Sequence, residues 1–182
     1  MVEISKNILL ISGSGRNVGK TSFIRQVIER NAFQKTVAIK ITPHFHEPTE
    51  GLVPISVTEN YRIFQETSIS SGKDSSLFLQ AGAEKVFFIQ TTDAYLAEAF
   101  RLTTAQLFAE QPIVVESAAL RKILVPGLYL FIRKKNEELK SSAIEMSALA
   151  NSTVLSDGNE FSLNPKYIVF NQTWKTETND IT

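Results

Sequence analysis

The residues best suited to chemistry are Gly13-Ser14-Gly15-Arg16-Asn17-Val18-Gly19-Lys20-Thr21-Ser22, which follow the apolar run Ile8–Ile11. A glycine-bearing loop between a buried strand and an amphipathic helix is built to hold phosphate. Its backbone N–H groups curl into a nest for anions, and the N-terminus of the next helix adds its dipole. Gly13, Gly15 and Gly19 free the backbone for close approach. Lys20 supplies a point charge for β and γ phosphates, and Thr21 a hydroxyl for magnesium. The ligand class this predicts is a nucleoside triphosphate, with about four negative charges at neutral pH, bound together with Mg2+. The usual pattern has a glycine five residues before Gly19, and here that position is Ser14.

Chemistry on a bound triphosphate needs a carboxylate near the metal. In parallel α/β sheets ligands bind at the carboxyl ends of the strands, so acids just after apolar runs are the candidates. Glu116 ends Ile113-Val114-Val115-Glu116; its other reading is a turn cap beside Ser117. Asp74, in Gly72-Lys73-Asp74-Ser75, is a second candidate, although an Asp at a helix start is first of all an ordinary cap. Lys40 lies near the end of a strand and hence near the crevice. His44, His46 and Glu47 form a substrate-facing loop; with no further histidine and no cysteine in the chain, they do not complete a zinc set. Arg133-Lys134-Lys135-Asn136 follow a strand and read either as a base-reading loop or as a solvated charge run. No second positive charge is placed by the sequence to act on a transition state.

The elements that must position these groups are legible in outline. Asn7–Ile11 reads as a strand, Thr21–Arg30 as a helix with Phe23, Ile24, Val27 and Ile28 on one face and Asn31 at its stop, and Thr36–Ile41 as a second strand. That βαβ unit demands a parallel sheet. Residues 42–72, punctuated by prolines and glycines, read as a long partly irregular region with an extended piece at Tyr61–Phe64. Further on, the patterns predict helices at Ser75–Ala81, Asp93–Glu110 (capped by Asp93, with Glu98 on its surface) and Ser141–Ala150. They predict strands at Lys85–Gln90, Ile113–Val115, Leu128–Ile132 and Thr153–Leu155, with edge pieces at Phe161–Leu163 and Tyr167–Phe170. The expectation is an α/β domain over residues 1–170, a mostly parallel sheet flanked by helices, and a mobile polar tail over 171–182.

Bulk composition narrows the partners. Lysine plus arginine equals aspartate plus glutamate at 19 each, so no nucleic-acid partner is expected. There are no cysteines, which excludes disulfides and thiol catalysis. No signal-like segment and no run near the ~20 apolar residues of a membrane span occurs. A cytoplasmic protein without membrane association is the expectation.

Taken in order, the 12–22 loop, Ala38-Ile39-Lys40 with its histidine loop, Lys73-Asp74-Ser75 followed by Ala81-Gly82-Ala83, and Val114-Val115-Glu116 resemble the MobB family, the molybdopterin-guanine dinucleotide biosynthesis adaptors. The resemblance spans roughly residues 7–120. It implies a P-loop NTPase fold of the SIMIBI-like, three-layer αβα branch that also holds dethiobiotin synthetase and the signal-recognition GTPases. It also implies GTP binding with Mg2+, weak hydrolysis, homodimerisation and a molybdenum cofactor-synthesis partner. On this resemblance Lys40, Asp74 and Glu116 are site residues, with Thr21, Asp74 and Glu116 around the metal. Where the family has Glu-Gly-Phe, this chain has Glu116-Ser117-Ala118. Arg16-Asn17-Val18-Gly19-Lys20-Thr21 is also similar to dethiobiotin synthetase loops. The alternative is therefore an ATP-dependent small-molecule phosphotransferase or ligase whose 42–72 region binds the acceptor. A third reading is an interaction module with a vestigial nucleotide site. GTP is not distinguished from ATP, because no Asn-Lys-x-Asp motif is present.

Overall fold

The computed structural model describes residues 3–177. The first apolar run forms β1 (Glu3–Gly13), followed by α1 (Lys20–Asn31) and β2 (Val37–Thr42). Then come β3 (Leu52–Val57), β4 (Tyr61–Glu66), α2 (Asp74–Gln80), β5 (Lys85–Thr91), α3 (Leu96–Thr104) and β6 (Ile113–Glu116). The chain continues through β7 (Leu124–Lys134), α4 (Ser141–Ala148) and β8 (Ser152–Ser156), and ends in a ribbon of β9 (Ile168–Asn171) and β10 (Thr173–Thr176). An 8-stranded sheet has the order β3-β4-β5-β2-β6-β1-β7-β8. From β5 to β8 every neighbouring pair is parallel; only β4 pairs antiparallel with β5, and β3 with β4.

The sheet carries a core on each face. On one side Leu9, Ala38, Val86 and Val114 meet Phe23, Val27 and Phe78 of α1 and α2. On the other, Leu10, Ile39, Phe87 and Val115 meet Leu96, Ala99 and Phe100 of α3. Strands buried on both faces are continuously apolar, which is why Ile8–Ile11 and Ile113–Val115 were readable. Because side chains alternate along a strand, the residues two positions beyond Ala38, Val86 and Val114 share the α1/α2 face. These are Lys40, Phe88 and Glu116, which are register partners: Lys40 opposite both Glu116 and Phe88. The row that is core at mid-strand thus becomes chemistry at the strand ends.

Three expectations need correction. Residues 42–72 are not one irregular region: β3 and β4 make a hairpin that extends the sheet, with Tyr61, Ile63 and Phe64 buried. Pro54 sits in β3, an edge strand where a missing N–H is tolerated. The helix expected over Asp93–Glu110 begins as a 3-10 turn over Asp93–Tyr95 and is regular only as α3. Asp93 caps nothing; its carboxylate pairs with Lys122 on the surface.

The described part of the expected tail, residues 171–177, is packed against the rest of the fold. The Trp174 side chain is buried in the core, its ring 5.4 Å from that of Phe170. Its Nε1 donates to the carbonyl of Asn7 at 2.8 Å, and the Thr173 hydroxyl to that of Lys6 at 3.2 Å. Asn31, read only as a helix stop, fastens the ribbon. Its Nδ2 donates to the Ile168 carbonyl (2.9 Å) and its Oδ1 accepts from the Phe170 N–H (3.1 Å). Residues 178–182 of that expected tail lie outside the described residues. Truncating a buried tryptophan costs about 3–5 kcal/mol. Trp174→Ala is therefore expected to lower unfolding stability by that amount in a denaturant titration; a loss below about 1 kcal/mol would mean that the ribbon is not part of the core.

Candidate functional site

The loop between β1 and α1 stands at the carboxyl edge of the parallel strands. The N–H of Ser14 is spent on the Ile132 carbonyl at 3.0 Å. Among the described residues, the N–H groups of residues 15–19 make no hydrogen bond within the protein. Asn17 and Gly19 have φ of 57° and 95°, left-handed conformations that curl the loop. Gly19 tolerates this freely, and a Cβ there would also come within 2.9 Å of the Phe161 ring. A Cβ on Gly13 would lie 2.6 Å from the Ile132 carbonyl oxygen, whereas one on Gly15 meets nothing within 4 Å. Packing thus excludes a side chain at Gly13 and Gly19 but leaves open space at Gly15.

Side chains converge below this loop. Lys20 folds back so that Nζ donates to the Gly15 carbonyl at 2.6 Å. Burial holds its ammonium below the ordinary value; Glu116 and Asp74 oppose that effect and Lys40 reinforces it. The Thr21 hydroxyl donates to Asp74 Oδ1 at 2.9 Å. Lys40 Nζ donates to Asp74 Oδ2 and lies 3.3 Å from Glu116 Oε2. One ammonium therefore joins two carboxylates from different elements. Glu116 is 9% exposed, and its Oε2, though close to Lys40, has no hydrogen bond of acceptable geometry.

Neither acid makes a capping hydrogen bond. Asp74 is the first residue of α2 and makes no capping bond; its carboxylate turns to Thr21 and Lys40. The turn after β6 is capped by the Ser117 hydroxyl, which accepts from the N–H groups of Ala119 and Leu120 at 3.1 Å each. Glu116 has no part in it. Lys40, expected near the crevice, is brought opposite Glu116 by the β2–β6 register.

A cavity of about 880 Å³ is bounded by this cluster. The expected residues Gly13, Gly15, Arg16, Asn17, Gly19, Lys20, Thr21 and Ser22 border it, together with Lys40, Asp74 and Glu116. His44 and His46 also line it, their rings 6.1 Å apart. Ser14 and Val18 do not. Val18 is buried in the core, and the Ser14 hydroxyl donates to Glu137 Oε2 at 2.6 Å. That bond ties the loop to the segment after β7 and holds the Glu137 carboxyl below its ordinary value. Glu137 was not anticipated, and no local pattern could reveal a partner 123 residues away. On its β7–β8 side the loop borders a second cavity of about 540 Å³, shared by Asn17, Gly19, Asn136, Glu137, Ser156 and Asp157. Arg133 is held by donating to the Glu137 carbonyl, so the 133–137 segment is a structured rim.

The Asp74 titration gives a test of the cluster. Burial alone would raise this carboxyl, but the hydrogen bond and charge of Lys40, then Thr21 and Lys20, outweigh it and hold it low. A carboxylate depressed on folding contributes stability above its unfolded value, about pH 4, and loses it as pH falls through the folded value. The stability gap between the parent and Asp74→Asn is expected to be constant above about pH 5 and to close in more acid solution. Urea titrations from pH 2.5 to 7 would read it; a gap independent of pH would contradict the ion pair.

No family model, curated protein or solved structure matches the chain.

Proposed function

We propose that the chain is a P-loop protein that binds a nucleoside triphosphate with Mg2+, similar in kind to the MobB adaptors. The observation that carries this reading is the meeting of free loop N–H groups, Lys20, Thr21, Asp74 and Glu116 on one cavity. The triphosphate lies along the 15–19 loop, where N–H groups and the start of α1 replace its hydration. Lys20 leaves the Gly15 carbonyl to neutralise the β and γ phosphates, and its burial makes a bound anion the natural partner of its charge.

The donors fit magnesium. It takes one or two carboxylates with hydroxyl, water and phosphate oxygens rather than an all-protein cage. Glu116 Oε2 is a buried oxygen without a hydrogen bond, and Asp74 and Thr21 already touch. Among the described residues no group of three or more histidine, aspartate or glutamate side chains is gathered to hold an ion alone, which suits a metal that arrives with phosphate. Bound magnesium would supply charge neutralisation at the β and γ oxygens. Lys40 would then be free to face phosphate, and carboxylate oxygens of Asp74 and Glu116 not taken by the metal would orient a water. Such a site supports slow hydrolysis, with Lys40 as the second cation.

The base enters the 540 Å³ cavity on the other side of the loop. Its rim offers the carboxylates of Glu137 and Asp157, acceptors that favour a base edge rich in N–H donors, as guanine has. This supports GTP over ATP. The molybdenum cofactor partner and a homodimer belong to the same proposal and rest on the motif order alone. Among the described residues no helix is long and apolar enough to cross a membrane; a cytoplasmic location is part of the proposal.

Calorimetric titration with GTP and ATP, with and without magnesium, tests this reading. Magnesium-dependent binding that favours GTP is expected, with Lys20→Ala weakening it about 100-fold, the value of two charge-assisted hydrogen bonds. Equal binding by parent and Lys20→Ala would sink the nucleotide reading. A second prediction concerns Lys40. Lys40→Met removes the ammonium that competes with a metal, so nucleotide-free protein is expected to bind Mn2+ about tenfold more tightly, a difference of about 1.4 kcal/mol. A manganese titration by electron paramagnetic resonance that shows unchanged or weaker binding would refute it.

A further inference from the structure

Glu66, the last residue of β4, is 1% exposed and forms no ion pair among the described residues. Burying a carboxylate without a cation is costly unless hydrogen bonds satisfy it. Its Oε1 accepts from the N–H groups of Thr67 and Ser68 at 3.1 and 2.9 Å, and its Oε2 from the Ser75 hydroxyl at 2.7 Å. Donors thus stand at both oxygens, and a carboxylate offers acceptors at both. The turn before β3 closes over the group. The Gly51 carbonyl accepts from the Thr67 N–H and hydroxyl at 2.8 Å each, and a Cβ on Gly51 would come within 2.7 Å of Glu66 Oε1.

What this carboxylate holds is the start of α2. Ser75 is the second residue of that helix and is buried. The next residue, Ser76, is also buried, and its hydroxyl accepts from the Ser71 N–H at 3.1 Å. With 7 residues and no side-chain capping bond at its start, α2 is too short to be stable by itself. The two serines fasten its first turn to the segment that leaves β4. Asp74 lies in that turn, immediately before Ser75, and its carboxylate meets the Thr21 hydroxyl at 2.9 Å and the Lys40 ammonium. Hydrogen bonds to a charged acceptor are short and strong. The Glu66–Ser75 bond therefore fixes the backbone from which Asp74 projects.

We propose that Glu66 is a positioning residue of the site: through the Ser75 hydroxyl it sets the first turn of α2 so that Asp74 stays between Thr21 and Lys40 on the wall of the 880 Å³ cavity. Glu66 does not border that cavity and acts through its neighbour alone. What Asp74 does with a metal rests on the triphosphate reading; how Asp74 is held does not.

Two readouts on the full chain test this. The first needs no ligand: the NMR signal of the Lys40 side-chain ammonium, with Asp74→Ala marking its position once the Asp74 contact is lost. Ser75→Ala is expected to move the signal toward that mark, and Glu66→Gln, whose amide can only reverse the Ser75 bond, to move it in the same sense. Combining the two substitutions should add nothing, because they act through one bond. Thr103→Ala, which removes a buried hydroxyl from α3, should leave the signal in place and so controls for general loosening. The second readout is GTP binding with and without magnesium. Ser75→Ala should reduce the strengthening by magnesium about tenfold, the low end of what a group that orients a metal ligand contributes, and leave magnesium-free binding by the loop and Lys20 unchanged. A Lys40 signal that stays at its parent position in both Ser75→Ala and Glu66→Gln, or moves as far in Thr103→Ala, would overturn the proposal. So would an equal loss of GTP binding with and without magnesium. A parent that binds no triphosphate refutes the nucleotide reading, while the Lys40 signal still decides whether Glu66 positions Asp74.

Discussion

Lys40 is a single ammonium between two carboxylates that come from different parts of the chain, Asp74 opening α2 and Glu116 ending β6. Two acids that close, one of them almost fully buried, repel each other and resist desolvation; a shared cation makes the arrangement tolerable. Removing one partner of such a cluster leaves uncompensated buried charge, so the site depends on all three. Thr21, which donates to Asp74, extends the network to the first turn of α1 and hence to the loop.

The sheet is what places that cation. Strand β6 inserts between β1 and β2, so that Glu116 comes into register with Ile11 on one side and with Lys40 on the other. The same alternation that sends Leu9, Ala38 and Val114 into the core brings Lys40 and Glu116 out at the strand ends on the same face. A shift of one residue in the β2–β6 register would turn Lys40 away from Glu116 and replace the apolar row beneath it. Core packing thus specifies site geometry, and the charge cluster needs no separate scaffold.

Much of this was legible where it is local. The βαβ start, the loop and the candidates Lys20, Thr21 and Glu116 follow from apolar runs, glycines and a strand-ending acid. What pairs with what was not legible, because strand order is decided by packing between distant segments. Asp74 read first as an ordinary cap, and its partners are Thr21, 53 residues away, and Lys40, 34 away. The polar sequence around Trp174 read as a mobile tail because its partners are the Lys6 and Asn7 carbonyls, 167 residues earlier. The hairpin over 52–66 was obscured by Pro54, whose cost disappears at a sheet edge.

The central claim is that the loop, Lys20 and the Lys40–Asp74–Glu116 cluster form one triphosphate site. A crystal structure of the protein with magnesium and a non-hydrolysable GTP analogue tests it most directly. The account predicts phosphates on the N–H groups of residues 15–19, Lys20 released from the Gly15 carbonyl, and Lys40 no longer joined to both acids. Phosphates bound elsewhere, or a loop with phosphate while Lys40 still bridges Asp74 and Glu116, would contradict it.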